Sequence, residues 1–191
     1  MAKCVMRLVG VSMLSWNKMV SVPKEDKELP DAYEERTWKH RGHYIDNGSG
    51  PENIFIPPMA FKKSIAAAAR YLGLKIPGEK NRTWTKHFQS GVQVFEPLIL
   101  PETFASIKGE WLMVPSDGKP GGKKRVRKCF PYVTNWEGDV TWHILDDKIT
   151  EKVFISTLEC AGKFIGILRF RPENGGFYGR FKVAAHIWEK A

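Results

Sequence analysis

Ten residues near the C-terminus, Arg171 to Arg180, bring together the groups that a phosphate backbone and a flat base require. Arg171 and Arg180 supply positive charge, and each phosphate neutralised adds salt-dependent affinity. Phe177 and Tyr178 supply rings on which an unpaired base can stack. Asn174, Gly175 and Gly176 form a polar loop whose glycines let the backbone come close to a ligand and aim its amides there. Arg169 stands just upstream. The same mixture of cation and aromatic recurs at Trp38, Lys39 and Arg41, and again at Lys86 and His87 beside Trp84. Residues 119–128 are more extreme: Lys119, Lys123, Lys124, Arg125, Arg127 and Lys128 are six cations with no acid among them. A glycine run alone is explained by a turn closing a hairpin, and one charged block by a solvated loop. Several such clusters in a chain of net charge +9 point to a polyanionic partner.

Other chemistries find less support. The Cys4, Cys129 and Cys160 spacings make neither a zinc pattern nor a disulfide frame, and read as reduced, buried thiols. His40-x-x-His43, with Asp46 and Glu34–Glu35 nearby, is the best metal-type spacing, but Lys39 and Arg41 interrupt it, so no metal or cofactor is expected. His143 and His186 fall in strand patterns and read as structural. Residues 25–35 hold six acids against Lys27, and Asp26 or Asp31 with a divalent ion could activate a ribose hydroxyl. Solvated loop acids account for them more simply, so the chain reads as non-enzymatic. No apolar run reaches the roughly 18 residues of a membrane span, and the N-terminus lacks a leader pattern. Together these readings predict a cytoplasmic protein without a membrane partner.

The elements that would position these groups follow from periodicity. Residues 4–13 are rich in β-formers and predict a first strand. A polar stretch from about 14 to 53 is too long for a simple connection and reads as an excursion or subdomain. Pro57-Pro58 then opens a helix over Met59–Leu72, with Phe61, Ile65, Ala68, Ala69 and Leu72 on one face and Lys62, Lys63 and Arg70 off it; Gly73 ends it. Strands are expected at 92–100 and 107–114, separated at Pro101. A basic hairpin over about 115–130 follows, with its distal arm at Cys129–Val133, and then a strand at 140–144. Thr150 caps a second helix that carries Phe154, Leu158, Ala161 and Ile165 inward. A short strand at 164–170 would lead into the glycine loop. In a last strand Phe181, Val183, Ala185 and Ile187 would share a face opposite Lys182 and His186. The skeleton is βαββαβ: an α+β, ferredoxin-like or RRM-like core over residues 1–191 with two insertions.

Two segments carry a family resemblance. Ile56-Pro57-Pro58-Met59-Ala60-Phe61-Lys62-Lys63-Ser64-Ile65 resembles the "IPxSSLKGxLR" opening of the first helix in the RAMP superfamily, the RRM-fold proteins that form the repeated backbone of CRISPR effector complexes. Gly175-Gly176-Phe177-Tyr178-Gly179-Arg180-Phe181-Lys182-Val183 is similar to that superfamily's C-terminal glycine-rich loop and the strand after it. Pro58-Met59-Ala60 and Lys63 replace the usual serines and glycine. The resemblance implies binding of single-stranded RNA or DNA, with guide RNA as the partner. It further implies self-association along the strand and a "thumb" at the basic hairpin. It also implies phosphate contacts from Lys62, Lys63, Arg169, Arg171, Arg180 and the loop amides. A phage-encoded relative of such a subunit, in a bacterial or phage-infected cell, fits the same motifs, and so does a metal-dependent endoribonuclease of the superfamily. A third alternative, from the basic surface alone, is an assembly protein meeting acidic protein partners.

Overall fold

Buried and partly exposed side chains alternate along Ala2–Gly10, and that segment is an inner strand of an antiparallel sheet. The computed structural model describes residues 2–48, 50–116, 118 and 124–190, the last without its side chain. The chain forms β1 (Ala2–Gly10), a two-residue β2 (Leu14–Ser15), α1 (Pro30–Thr37), β3 (Tyr44–Asp46), β4 (Pro51–Ile56), α2 (Pro58–Leu72) and α3 (Thr85–Gly91). It continues through β5 (Val92–Gln93), β6 (Leu98–Thr103), β7 (Lys108–Pro115), β8 (Arg125–Val133), β9 (Glu137–Ile144), α4 (Glu151–Cys160) and β10 (Phe181–Lys190).

The four-stranded sheet runs β10-β1-β9-β5, with every neighbouring pair antiparallel. Taken with its helices, the chain order is β1-α2-β5-β9-α4-β10. The fourth strand lies beside the first, the first beside the third and the third beside the second, which is the ferredoxin-like arrangement. One face is apolar: Cys4, Met6 and Leu8 of β1 and Val140, Trp142 and Ile144 of β9 are all buried. The helices supply the covering rings. Phe61 of α2 meets Trp142 edge-on at 6.2 Å, and Phe154 of α4 does so at 5.4 Å. The buried Cys4 thiol has its pKa pushed up to about 12, first by burial and then by the charge of Glu151, so it behaves as a small apolar side chain.

Two insertions, Ser15–Phe55 and Pro101–Val133, cluster as a second unit, apart from the unit that contains this sheet. Within it, β7 and β8 pair antiparallel from Lys108↔Tyr132 to Pro115↔Arg125, which puts Arg125, Arg127 and Lys128 of the basic block on a strand. The distal arm of the expected hairpin starts at Arg125, earlier than the sequence pattern indicated. Lys119 and Lys123 lie outside the described residues.

Local chemistry explains the helix boundaries. Pro58 occupies the first turn of α2, and Gly73 ends the helix in the left-handed region at φ 57°, its amide donating to the Ala69 carbonyl. The Thr150 hydroxyl accepts the Val153 amide at 3.4 Å at the start of α4. After Cys160 the helix widens for one turn, with the Gly166 amide donating to the Ala161 carbonyl five residues back at 2.8 Å.

Three expectations give way. The first strand ends at Gly10 and does not continue to residue 13. The expected strand at 92–100 divides into β5 and β6, and Pro101 lies inside β6 instead of separating two strands. Residues 164–170 form no strand: the widened turn occupies the first of them, and Leu168 and Phe170 take left-handed backbone angles of φ 62° and 59°.

The last strand exists, but its facing differs. Arg7 pairs with Ala185 and Leu8 with Val183, so Ala184 is an unpaired bulge residue. Beyond it the alternation inverts. His186 and Trp188 share the face of Met6 and Cys4, where His186 Nε2 lies 2.9 Å from Glu151 and Trp188 packs against Phe154 at 5.7 Å. Ile187 lies on the opposite face, 62% exposed.

Phe154 is fully buried among Phe88, Trp142 and Trp188. Phe154→Ala should therefore cost about 3–5 kcal/mol, read as a lower urea midpoint with an unchanged slope.

Candidate nucleic-acid interface

The exposed side of α2 is built by spacing. Met59, Lys62, Lys63, Ala66, Ala67 and Arg70 recur at three- and four-residue steps and share one surface. Alanine at 66 and 67 leaves a depression, and the loop after α4 closes it with Arg171 and Glu173. The result is a groove of about 360 Å³, to which α3 adds Gln89. The helix opening that carries the first family resemblance thus meets the stretch just before the glycine loop. Glu173 holds two of the cations, taking Arg171 in a two-pronged pair at 2.8 and 3.0 Å and Arg70 at 3.5 Å. Arg171 also donates to the Leu168 carbonyl at 3.1 Å. Lys62 and Lys63 make no ion pair among the described residues. One carboxylate therefore faces four cations, and the groove is positive.

The glycine loop works differently from its sequence reading. Its amides are already used: those of Asn174, Gly175, Gly176, Tyr178 and Gly179 donate to the carbonyls of Arg171, Pro172, Arg171, Phe170 and Met13. A phosphate cradle of loop amides is therefore not what these glycines provide. They permit close packing. A Cβ on Gly176 would stand 1.9 Å from the Phe170 carbonyl oxygen, and one on Gly179, at φ 69°, would stand 2.0 Å from that of Ile167.

This packing presents rings. Phe177 is 58% exposed and Phe170 49%, meeting edge-on at 6.4 Å, with the Arg169 guanidinium 5.3 Å from the Phe170 ring. Tyr178, expected to stack on a base, is only 7% exposed and supports the other two from below. Tyr71 and Phe164 form a second, stacked pair at 5.6 Å. Arg180 is exposed and Lys182 follows it on β10.

In the second unit, several expected contacts have structural employment. Arg41 is buried, and its guanidinium grips both oxygens of the buried Glu34, at 2.7 and 2.9 Å. Glu34 in turn accepts the Cys129 amide at 2.9 Å, which ties α1 to β8. Arg41 is therefore an internal strut and not a surface cation. Lys39 donates to the Phe104 and Ala105 carbonyls, and Trp38 is half-buried against Gly109. Arg127 lies 3.9 Å over the Trp111 ring and 3.0 Å from Glu35. Arg125 donates to the Met113 carbonyl, whereas Lys124 and Lys128 make no ion pair among the described residues. His40 and His43 pack on different rings, Phe104 and Phe55, and burial lowers both pKa values. Among the described residues no three histidine, cysteine or carboxylate groups cluster as a metal would need, with Asp26 and Asp31 or elsewhere. No helix among them is long and apolar enough to cross a membrane.

Of the residues read from the sequence as nucleic-acid contacts, Lys62, Lys63, Arg171, Phe177 and Arg180 all fall in the first unit. Sequence reasoning missed Arg70 as a groove cation, although Lys63 and Arg70 are two helical turns apart on one side. It missed Phe170 because that residue was assigned to a strand.

No family model matches the chain, and no curated protein matches it. Among solved structures, the chain is similar to Cmr6 from Pyrococcus furiosus at 15% identity and a TM-score of 0.45, covering 96% of this chain and 99% of that one. It is also similar to a chain of a CRISPR RNA-guided surveillance complex at 8% identity and a TM-score of 0.39, covering 92% and 65%. The ferredoxin-like assignment stands on the strand order and directions of the chain itself.

Removing one side of the buried pair leaves a stranded charge. Arg41→Ala should cost about 3–5 kcal/mol in urea unfolding, and more than Arg127→Ala at the exposed Glu35 pair.

Proposed function

We propose that this protein binds single-stranded nucleic acid, with RNA preferred, and that it does so without cleaving it. The observation that carries the reading is the α2 groove, where Lys62, Lys63, Arg70 and Arg171 face a single carboxylate and the exposed Phe170 and Phe177 belong to the same loop as Arg171. Cations at that spacing suit successive phosphates, and two upright rings suit unpaired bases, which a duplex would keep stacked away. The preference for RNA, and a guide RNA as partner, rest on the resemblance of the α2 opening and the glycine loop to the RAMP superfamily. On the same ground copies assemble along the strand, and the β7–β8 hairpin, with Lys124 and Lys128, makes a second contact. The two structural likenesses to CRISPR proteins point the same way without carrying the reading.

The test is fluorescence anisotropy with a labelled, unstructured RNA at several salt concentrations. Lys62→Glu with Lys63→Glu should weaken binding at least about tenfold, and the slope of log affinity against log salt should fall by about 0.7 for each phosphate that is no longer neutralised. Unchanged affinity and slope in that variant would remove the groove from the interface. Phe177→Ala should cost about 1–3 kcal/mol of binding while leaving the salt slope alone, because a ring releases no counterion. If copies assemble on the strand, the mass measured by light scattering should grow with RNA length; a constant stoichiometry would rule assembly out.

A further inference from the structure

The first unit holds a second concave cationic site, on the segment leading into α3 and on α3 itself. A pocket of about 470 Å³ is lined by Asn81, Arg82, Thr83, Lys86 and His87. His87 is set in place from two sides. Its Nδ1 lies 2.5 Å from Asp146 Oδ2, and its ring meets Trp84 edge-on at 5.7 Å. An ionised carboxylate can only accept, so Nδ1 carries a proton toward Asp146 and Nε2 is the ring's remaining polar atom. Asp146 is fixed in turn, accepting the Lys148 amide at 3.0 Å. The charge around the pocket does not cancel. Arg82 pairs with Glu79 at 3.3 Å, but Glu79 also takes the Lys148 ammonium. Arg82, Lys148 and Lys86, the last with no ion pair among the described residues, stand against Glu79 and Asp146, which leaves one positive charge over, and a proton on His87 adds a second.

We propose that this pocket binds a phosphomonoester, either the terminal phosphate of a strand or the phosphate of a free nucleotide. A monoester carries close to two negative charges near neutral pH, which the surplus cation and a protonated His87 together match. A phosphodiester within a strand carries only one and needs a path in and out. Lys86 and Arg82 supply the charge, and Asn81 and Thr83 supply polar side chains. His87 becomes a two-sided clamp when protonated, donating through Nδ1 to Asp146 and through Nε2 to the phosphate. Charge-assisted hydrogen bonds of this kind set the preference for a phosphate over a hydroxyl.

The experiment compares a 10-nucleotide RNA bearing a 5′-phosphate, a 3′-phosphate or hydroxyl ends, and separately AMP, inorganic phosphate and adenosine, by isothermal titration calorimetry. One phosphorylated end should bind about tenfold or more tightly than the hydroxyl-ended strand, one charge-assisted hydrogen bond's worth. Alternatively, AMP should bind where adenosine does not, which identifies the free nucleotide as the source. Lys86→Ala with His87→Gln should erase either preference while the thermal midpoint stays near that of the parent. The proposal is overturned if no phosphorylated ligand outbinds its hydroxyl counterpart, or if the double variant keeps the preference. Equal binding of all three RNAs, with AMP no tighter than adenosine, sinks the pocket and leaves the strand-binding reading intact. AMP binding without RNA binding does the reverse.

Discussion

Three carbonyl oxygens set the terms for the first unit. Those of Phe170, Ile167 and Phe181 lie 1.9, 2.0 and 2.1 Å from where a Cβ would stand on Gly176, Gly179 and Gly162. The backbone can fold this tightly only where side chains are absent. Everything on the loop surface follows from that compaction. It spends the loop amides on internal bonds, buries Tyr178, and turns Phe170 and Phe177 outward with Arg171 pinned by Glu173. Leu168 and Phe170 sit in left-handed backbone regions, a strain of order 1–3 kcal/mol each that the surrounding packing holds in place.

The fold was largely legible because its signals are local. The β-formers of β1, the alternation in β9, the Pro58-to-Gly73 span and the Thr150 cap each act within a few residues, and the βαββαβ order follows from them. What was not legible depends on a third dimension. The amides of Gly175 and Gly176 look free in the sequence, and only their distances to Pro172 and Arg171 show that they are taken. Arg41 looks like one more cation in a basic run, and only its burial against Glu34 makes it structural. The Ala184 bulge leaves no trace in composition, because small residues on an edge strand suit a regular ladder as well as an irregular one.

Charge is distributed by employment more than by count. The acid-rich stretch 25–35 is largely turned to internal use: Glu28 and Glu25 take Arg36, Glu34 takes Arg41 and Glu35 takes Arg127. Those pairs absorb cations of the second unit. In the first unit, Lys62, Lys63 and Lys86 have no such counterpart among the described residues. The net charge of +9 therefore understates how concentrated the available charge is.

The bulge in β10 makes that strand resemble a message read in a frame. Val183 and Trp188 both belong to the helix-covered side only because Ala184 is skipped between them. Losing Ala184 itself would remove the bulge and restore strict alternation, with Ala185 still opposite Arg7 and Trp188 still inward. Losing two would take one residue beyond the bulge and turn every later position over, handing the inward place of Trp188 to Ile187. Along this strand, then, the parity of a length change matters more than its size, and its tolerance to change during evolution is set by whether the count is odd or even.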